Sequence, residues 1–324
     1  MAALTEFELI DRFFRRPTRR TVLGVGDDAA LLAPAPGCEL AASVDMLVAG
    51  RHFFADVDPE SLGHKTLAVN LSDMAAMGAS PRWALFACAL PEPDPAWLAA
   101  FARGFFVLAD QFEVELIGGD TTRGPLNLCL TILGEAPAGR ALRRSGARPG
   151  DALFVSGRLG DAALALAHRR GEVELTATEL ATCDRALHWP TPRVALGEHL
   201  RGLASAAIDL SDGLVGDLGH VLAASGVSAT VELAALPRSP ALDRILVGSN
   251  RERARACLLA GGDDYELCFS APPSAAARLD ALAAKLQLTL SRIGRIEAGA
   301  GLVVCDEAGQ ALHALPQAFD HFRS

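Results

Sequence analysis

Apolar positions recur at helical spacing over residues 4–16, where Leu9 and Phe13 fall among neighbouring apolar positions, and predict an amphipathic helix. The period then changes. RTVLGVGDDAALLAPAPG reads as a short strand, a Gly-rich turn and a Pro-rich stop, and CELAASVDM as a strand ending at Asp45. The stretch from Pro59 to Gly78 is the longest helical candidate; it opens on an acidic, capping-type segment and closes on Gly78, with Pro81 beyond. RWALFACAL predicts a buried strand, PAWLAAFARGFFVLADQF a helix, VELIGGD a strand running into a Gly-Gly turn, and LNLCLTILGEA a further strand.

The pattern then lapses. APAGRALRRSGARPGD is rich in Pro, Gly and Arg and carries no periodic element, so a domain boundary is expected near residues 137–150, giving domains 1–140 and 141–324. A chain of 324 residues is also long for one core and about right for two. The second half opens on the strand ALFVSG and alternates helices and strands to about residue 305. Helices and strands mixed in each half predict an α/β or α+β fold and exclude a pure helical bundle. Leu-Ser-Asp recurs at 71–73 and 210–212, and Gly-Gly-Asp at 118–120 and 261–263, a hint that both halves present acidic turns to one site.

Half of the residues are apolar, which is ample for filled cores. The net charge of −9 excludes an electrostatic grip on nucleic acid, because no basic stripe offsets it; the run Arg15, Arg16, Arg19, Arg20 reads as a solvated helix end and loop. Seven scattered cysteines, never in C-x-x-C spacing, read as small buried hydrophobes in a reducing compartment and exclude a zinc site. Acidic residues interrupt the apolar N-terminal stretch, and no run approaches the ~18 apolar residues of a membrane span. A soluble, cytoplasmic protein is expected.

Gly24-Val-Gly-Asp-Asp-Ala-Ala fits G-x-G-x-x-A, with Asp45 about 20 residues on, as in a dinucleotide-binding fingerprint. The context is wrong for one. Pro34 and Pro36 arrive where a helix should begin, and Asp27 and Asp28 would face the phosphates. Adjacent carboxylates on a glycine turn suit a hard cation instead. Asp73 has Val69, Asn70, Ala76 and Met77 around it on a partly apolar helical face, where a charge needs a partner or a metal. Asp45, Asp120, Asp209, Asp212, Asp263 and Asp264 each sit where a strand feeds a turn or a helix begins. One such Asp is an ordinary cap; six flanked by Gly or Ser suggest several Mg2+ ions bridging carboxylates to phosphate oxygens. There is no P-loop, protein-kinase motif set, G-x-S-x-G elbow or H-E-x-x-H, and Ser211 between acids makes a poor nucleophile. His52, seven residues past Asp45, is the histidine best placed to act.

In order along the chain, GVGDDAALL, SVDMLVAGRHF, KTLAVNLSDMAAMGASP, IGGDTTRGP, ALRRSGARPGD, AIDLSDGLVGDLGH, GGDDYELCF and FDHF resemble the thiamine-monophosphate kinase family, of the superfamily of aminoimidazole ribonucleotide synthetase. The resemblance implies an N-terminal α/β domain that dimerises through its sheet and a C-terminal α/β domain completing the active cleft. It implies transfer of the γ-phosphoryl of ATP to thiamine monophosphate, assisted by Mg2+, in a homodimer that engages neither nucleic acid nor membrane. Asp28, Ser43, Val44, Asp45, Asp73, Asp120, Asp209 and Asp212 look like metal-site residues; Gly119, Asp120, Arg144 and Ser211 look like nucleotide contacts; His52, Asp263 and Phe319 look like thiamine-phosphate contacts. Asp73, Asp120 and Arg144 would carry the catalysis. The family usually has Thr at Val44, which leaves only a backbone carbonyl there, and commonly Glu at Asp263. The alternatives are another ATP-using enzyme of the superfamily, of the aminoimidazole ribonucleotide or selenophosphate synthetase type, and a non-catalytic nucleotide or metal sensor.

Overall fold

The computed structural model describes residues 5–317. The chain divides into two compact units, the first comprising Met1–Met74 and Ala79–Gly139, the second Ala75–Gly78 and Arg140–Ser324.

In the first unit, strands β1 (Cys38–Val48), β2 (Ser80–Leu90), β3 (Glu115–Arg123) and β4 (Asn127–Pro137) form a sheet of order β1-β4-β2-β3, antiparallel except for the β2–β3 pair. Helices α2 (Pro59–Ala76) and α3 (Pro95–Gln111) pack on one face, following a short α1 (Glu6–Leu9). Inward-pointing Leu128, Leu130 and Ile132 of β4 are fully buried, and Phe86 of β2 stacks on Phe101 of α3 at 5.4 Å. The two helices touch backbone to backbone: a Cβ on Gly63 would lie 2.0 Å from the Phe101 carbonyl oxygen, and one on Gly104 1.8 Å from that of Glu60. Among the described residues, most positions on the opposite face of the sheet are half-buried or exposed. Along β1, Leu40, Val44 and Met46 point that way and remain 49, 58 and 52% exposed.

Helix formation over 4–16 is only partly borne out, because α1 gives way to a wider π-type turn over Ile10–Phe14. The arginine run after it is exposed as expected, but it also carries contacts within the unit. Arg16 lies over the Phe106 ring at 3.7 Å and bonds Asp110, and Arg20 pairs with Glu113 at 2.6 Å. Glu115, the first residue of β3, accepts the backbone N–H groups of Arg19, Arg20 and Thr21 at 2.5, 2.8 and 3.0 Å and the Thr21 hydroxyl at 2.5 Å. Propensity cannot show these contacts, since the partners lie about 95 residues away.

The second unit is a six-stranded sheet of order β10-β7-β9-β5-β8-β6, built from β5 (Ala152–Ser156), β6 (Ala206–Asp209), β7 (Ser228–Glu232), β8 (Leu267–Ala271), β9 (Leu290–Glu297) and β10 (Gly301–Cys305). Its core joins Leu153, Val155, Ile208 and Cys268 of the strands to α4 (Asp161–Arg169), α7 (Leu214–Ser225) and α9 (Arg251–Ala260) through Leu164, Leu218 and Leu258. No helix is long and apolar enough to cross a membrane among the described residues.

Burial pushes the Glu115 carboxyl up, but the hydrogen bonds from Thr21, Arg19 and Arg20 outweigh it and hold the group below its ordinary value of 4.5. Its contribution to stability is therefore full above that value and is lost as pH falls through the depressed one. Glu115→Gln is expected to lower the unfolding free energy by about 1–2 kcal/mol at pH 7. In urea titrations the gap from wild type should narrow below pH 4; a gap of the same size at both pH values would contradict this role.

Candidate active site

In the first unit, alternation along β1 turns Ser43 and Asp45 to the helix side, opposite Val44 and Met46. Asp73 comes up from α2 amid buried Leu71 and Met74, and Ser43 Oγ donates to its Oδ2 at 2.5 Å. A hydroxyl so close to a carboxylate makes a short, charge-assisted bond and sets two oxygen donors side by side. Asp45 is not at a strand end, because its ladder with β4 continues to Val48 opposite Asn127. His52 lies in the turn beyond, where its Nδ1 accepts the Val48 N–H at 3.0 Å. That bond leaves the proton of the neutral ring on Nε2.

Gly118-Gly119 is not a turn either. β3 runs through both residues to Arg123, and the pairing with β2 skips one residue between Leu116 and Gly118, a β-bulge that re-aims the rest of the strand. Gly119 (φ +150°) presses against β2 so tightly that a Cβ would sit 1.8 Å from the Phe86 carbonyl oxygen. Asp120 comes next, exposed and level with Ala87. Asp28 occupies an exposed loop tip closed by the Leu23–Leu31 bridge, and its N–H donates to Asp27 Oδ1 at 2.9 Å. No helix begins there, which disposes of the dinucleotide fingerprint.

In the second unit, β6 ends on buried Asp209, and the turn Leu210-Ser211-Asp212 leads into α7. This turn is stitched to the segment before β8: Leu210 N–H donates to Glu266 O at 2.9 Å, Tyr265 N–H to Leu210 O at 2.8 Å, and Asp263 N–H to Ser211 O at 2.9 Å. Asp209, Ser211, Asp212 and Asp263 are thus brought into one neighbourhood. Arg144 is exposed, with its carbonyl accepting the Ser225 hydroxyl at 3.1 Å. Phe319 lies outside the described residues. The repeated tripeptides share no geometry, since Leu71–Asp73 is helical and Leu210–Asp212 a turn, while Gly118–Asp120 is strand and Gly261–Asp263 loop.

Two acids that the sequence left unremarked support this neighbourhood. Asp217, in the first turn of α7, accepts the Asp212 N–H at 3.0 Å; burial, aided by the charge of Asp212, pushes its carboxyl up to about 7. Buried Glu266 takes the Ser156 hydroxyl at 2.5 Å and both arms of the Arg193 guanidinium, with Nε at 2.6 Å. The sequence signal was present in the run D-x-x-D-G-x-x-x-D for Asp217, but the partner of Glu266 lies 73 residues away.

The donors in both units are carboxylate and hydroxyl oxygens, the chemistry of a hard divalent cation. Among the described residues, no three His, Cys, Asp or Glu side chains group closely enough to hold a metal by themselves.

Residues 26–136 match the N-terminal domain of AIR synthase related proteins, and residues 148–306 their C-terminal domain. The chain is 48% identical to a thiamine-monophosphate kinase of Salmonella typhimurium over 301 residues, 91% of each chain. It is similar to the crystal structure of thiamine-monophosphate kinase from Stenotrophomonas maltophilia K279a, with 48% identity, a TM-score of 0.85, and coverage of 96% of this chain and 99% of that one. A solved structure described as AaThiL complexed with AMPPCP and TMP matches with 30% identity and a TM-score of 0.77 over 98% of this chain and 97% of that one.

Removing Arg193 strands the buried Glu266 charge. Arg193→Ala is expected to lower the unfolding free energy by about 3 kcal/mol, the lower end for breaking a buried ion pair. Urea denaturation at pH 7 checks this, and a loss below about 1 kcal/mol would show that water takes over the role of the guanidinium.

Proposed function

Because the chain belongs to the thiamine-monophosphate kinase family of AIR synthase related proteins, we propose that it transfers the γ-phosphoryl group of ATP directly to the phosphate of thiamine monophosphate. The products are thiamine diphosphate and ADP. The observation that carries this reading is near-full-length likeness to kinases of this name, together with a similar structure whose ligands are AMPPCP and TMP.

The acceptor is a phosphate oxygen that is already anionic. No strong general base is required, and no phospho-enzyme; catalysis rests on in-line positioning and on neutralising two mutually repelling phosphates. Asp28, Ser43, Asp45, Asp73, Asp120 and the Val44 carbonyl in the first unit, and Asp209 and Asp212 in the second, would hold Mg2+. The metal supplies positive charge to the triphosphate when bound. Gly119, Asp120 and Ser211 meet the nucleotide, with the Arg144 guanidinium as a further cation. His52, whose Nδ1 accepts the Val48 N–H, meets the acceptor substrate alongside Asp263 and Phe319. Seven free thiols support a reducing compartment, the cytoplasm.

The exposed apolar positions of β1 in the first unit support a homodimer. Leu40, Val44 and Met46 form an apolar stripe that a second copy of this chain would cover. A Leu40→Asp, Met46→Asp variant is expected to sediment as a monomer while the wild type sediments as a dimer. An unchanged dimer would place the interface elsewhere.

Purified protein given Mg-ATP and thiamine monophosphate is expected to form thiamine diphosphate and ADP in equal amounts, and neither product in EDTA. Asp73→Asn and Asp120→Asn should each cut kcat by roughly 100-fold or more, with melting temperature unchanged. Near-normal turnover in either variant would refute the metal assignment, and nucleotide binding without turnover in the wild type would refute the kinase reading.

A further inference from the structure

Tyr265 is the one tyrosine in the chain. Its ring is buried, yet its hydroxyl donates to Oδ1 of Asp263 at 3.0 Å. Side chains two residues apart on an extended strand also share a face, but these two are not on a strand. Asp263 has φ +67° and Tyr265 φ +48°, both in the left-handed region that residues with a Cβ avoid. Asp tolerates that region; a bulky aromatic rarely enters it.

The turn is pinned at each of its three residues. Asp263 N–H donates to Ser211 O at 2.9 Å and Tyr265 N–H to Leu210 O at 2.8 Å. Between them, Asp264 Oδ1 accepts the Gly160 N–H at 2.8 Å. Strain held in place from several directions is a mark of a site whose geometry matters. Here its product is specific: it brings a phenol onto the carboxylate read above as a substrate contact.

We propose that Tyr265 is a positioning residue for the thiamine end of the acceptor substrate, its hydroxyl fixing the plane of the Asp263 carboxylate. The inference rests on the reading of Asp263 as a substrate contact. Thiamine monophosphate carries a permanent ring cation and an exocyclic amino group, and both are complements of a carboxylate. Asp is one methylene shorter than the Glu common in the family, so it has less freedom to find its partner. A donor that sets its orientation in advance lowers the ordering that binding must impose. The hydroxyl should therefore matter for the acceptor and not for ATP.

Tyr265→Phe removes the hydroxyl and keeps the ring. Steady-state kinetics are measured for wild type, Tyr265→Phe, Asp263→Asn and the double variant, varying each substrate in turn, with a thermal melt of each protein. The expected result is a roughly tenfold rise in KM for thiamine monophosphate in Tyr265→Phe, the scale of one charge-assisted hydrogen bond, against less than about twofold for ATP. In the Asp263→Asn background the same change should add nothing. Three results overturn the proposal: an unchanged KM for thiamine monophosphate, equal rises for both substrates, or independent effects in the double variant. If Asp263→Asn alone leaves that KM unchanged, the contact assigned to Asp263 fails. If Asp263→Asn raises it and Tyr265→Phe does not, the contact stands and only the positioning role fails.

Discussion

A carboxylate drawn away from water has to be met by a donor, a cation or a proton, and this chain places 39 acidic residues against 30 Lys and Arg. Where structure alone is at stake, the partners come from the protein. Glu115 is met by three backbone N–H groups and a hydroxyl, Glu135 by the Ala35 N–H at 2.6 Å and Arg82 at 3.0 Å, and Glu266 by Arg193 and Ser156. Each joins segments far apart in sequence, so the acids act as fasteners as well as charges. Asp217 is met by the Asp212 N–H at 3.0 Å, while burial raises its carboxyl to about 7.

The remaining acids are disposed differently. Asp28 and Asp120 are exposed, and Asp73 shares a short bond with a serine rather than being enclosed by a cage of carboxylates. On the proposed reading, phosphate oxygens would complete donors arranged this way into a metal site. The net charge of −9, hostile to ATP at first sight, would on the proposed reading become the means of holding the cations that accompany it. An enzyme that joins two phosphates has most need of such charge compensation, because its electrostatic barrier is their repulsion.

Much of this was legible from the chain. The apolar runs RWALFACAL and LNLCLTILGEA gave β2 and β4, and the acidic opening with Gly78 and Pro81 at the close gave α2, since these signals are local to the segment. Motif order identified the family. What escaped were features set by a partner strand or segment. Gly118-Gly119 has the composition of a turn, but the ladder with β2 turns it into a bulge, and the ladder with β4 carries β1 three residues beyond Asp45. The arginine run is exposed as it looked, but its contacts escaped because Asp110, Glu113 and Glu115 lie about 95 residues away. Asp263 and Tyr265 are close in sequence, yet the left-handed turn in which the Tyr265 hydroxyl meets the Asp263 carboxylate is not legible there.

The central claim is that these carboxylates bind ATP through divalent cations and repel it without them. Calorimetric titration of a non-hydrolysable ATP analogue into the wild-type protein, once with millimolar Mg2+ and once in EDTA, measures this directly. The account predicts an affinity at least roughly tenfold weaker in EDTA, because like charges then face one another at close range. Equal affinity under both conditions would contradict it.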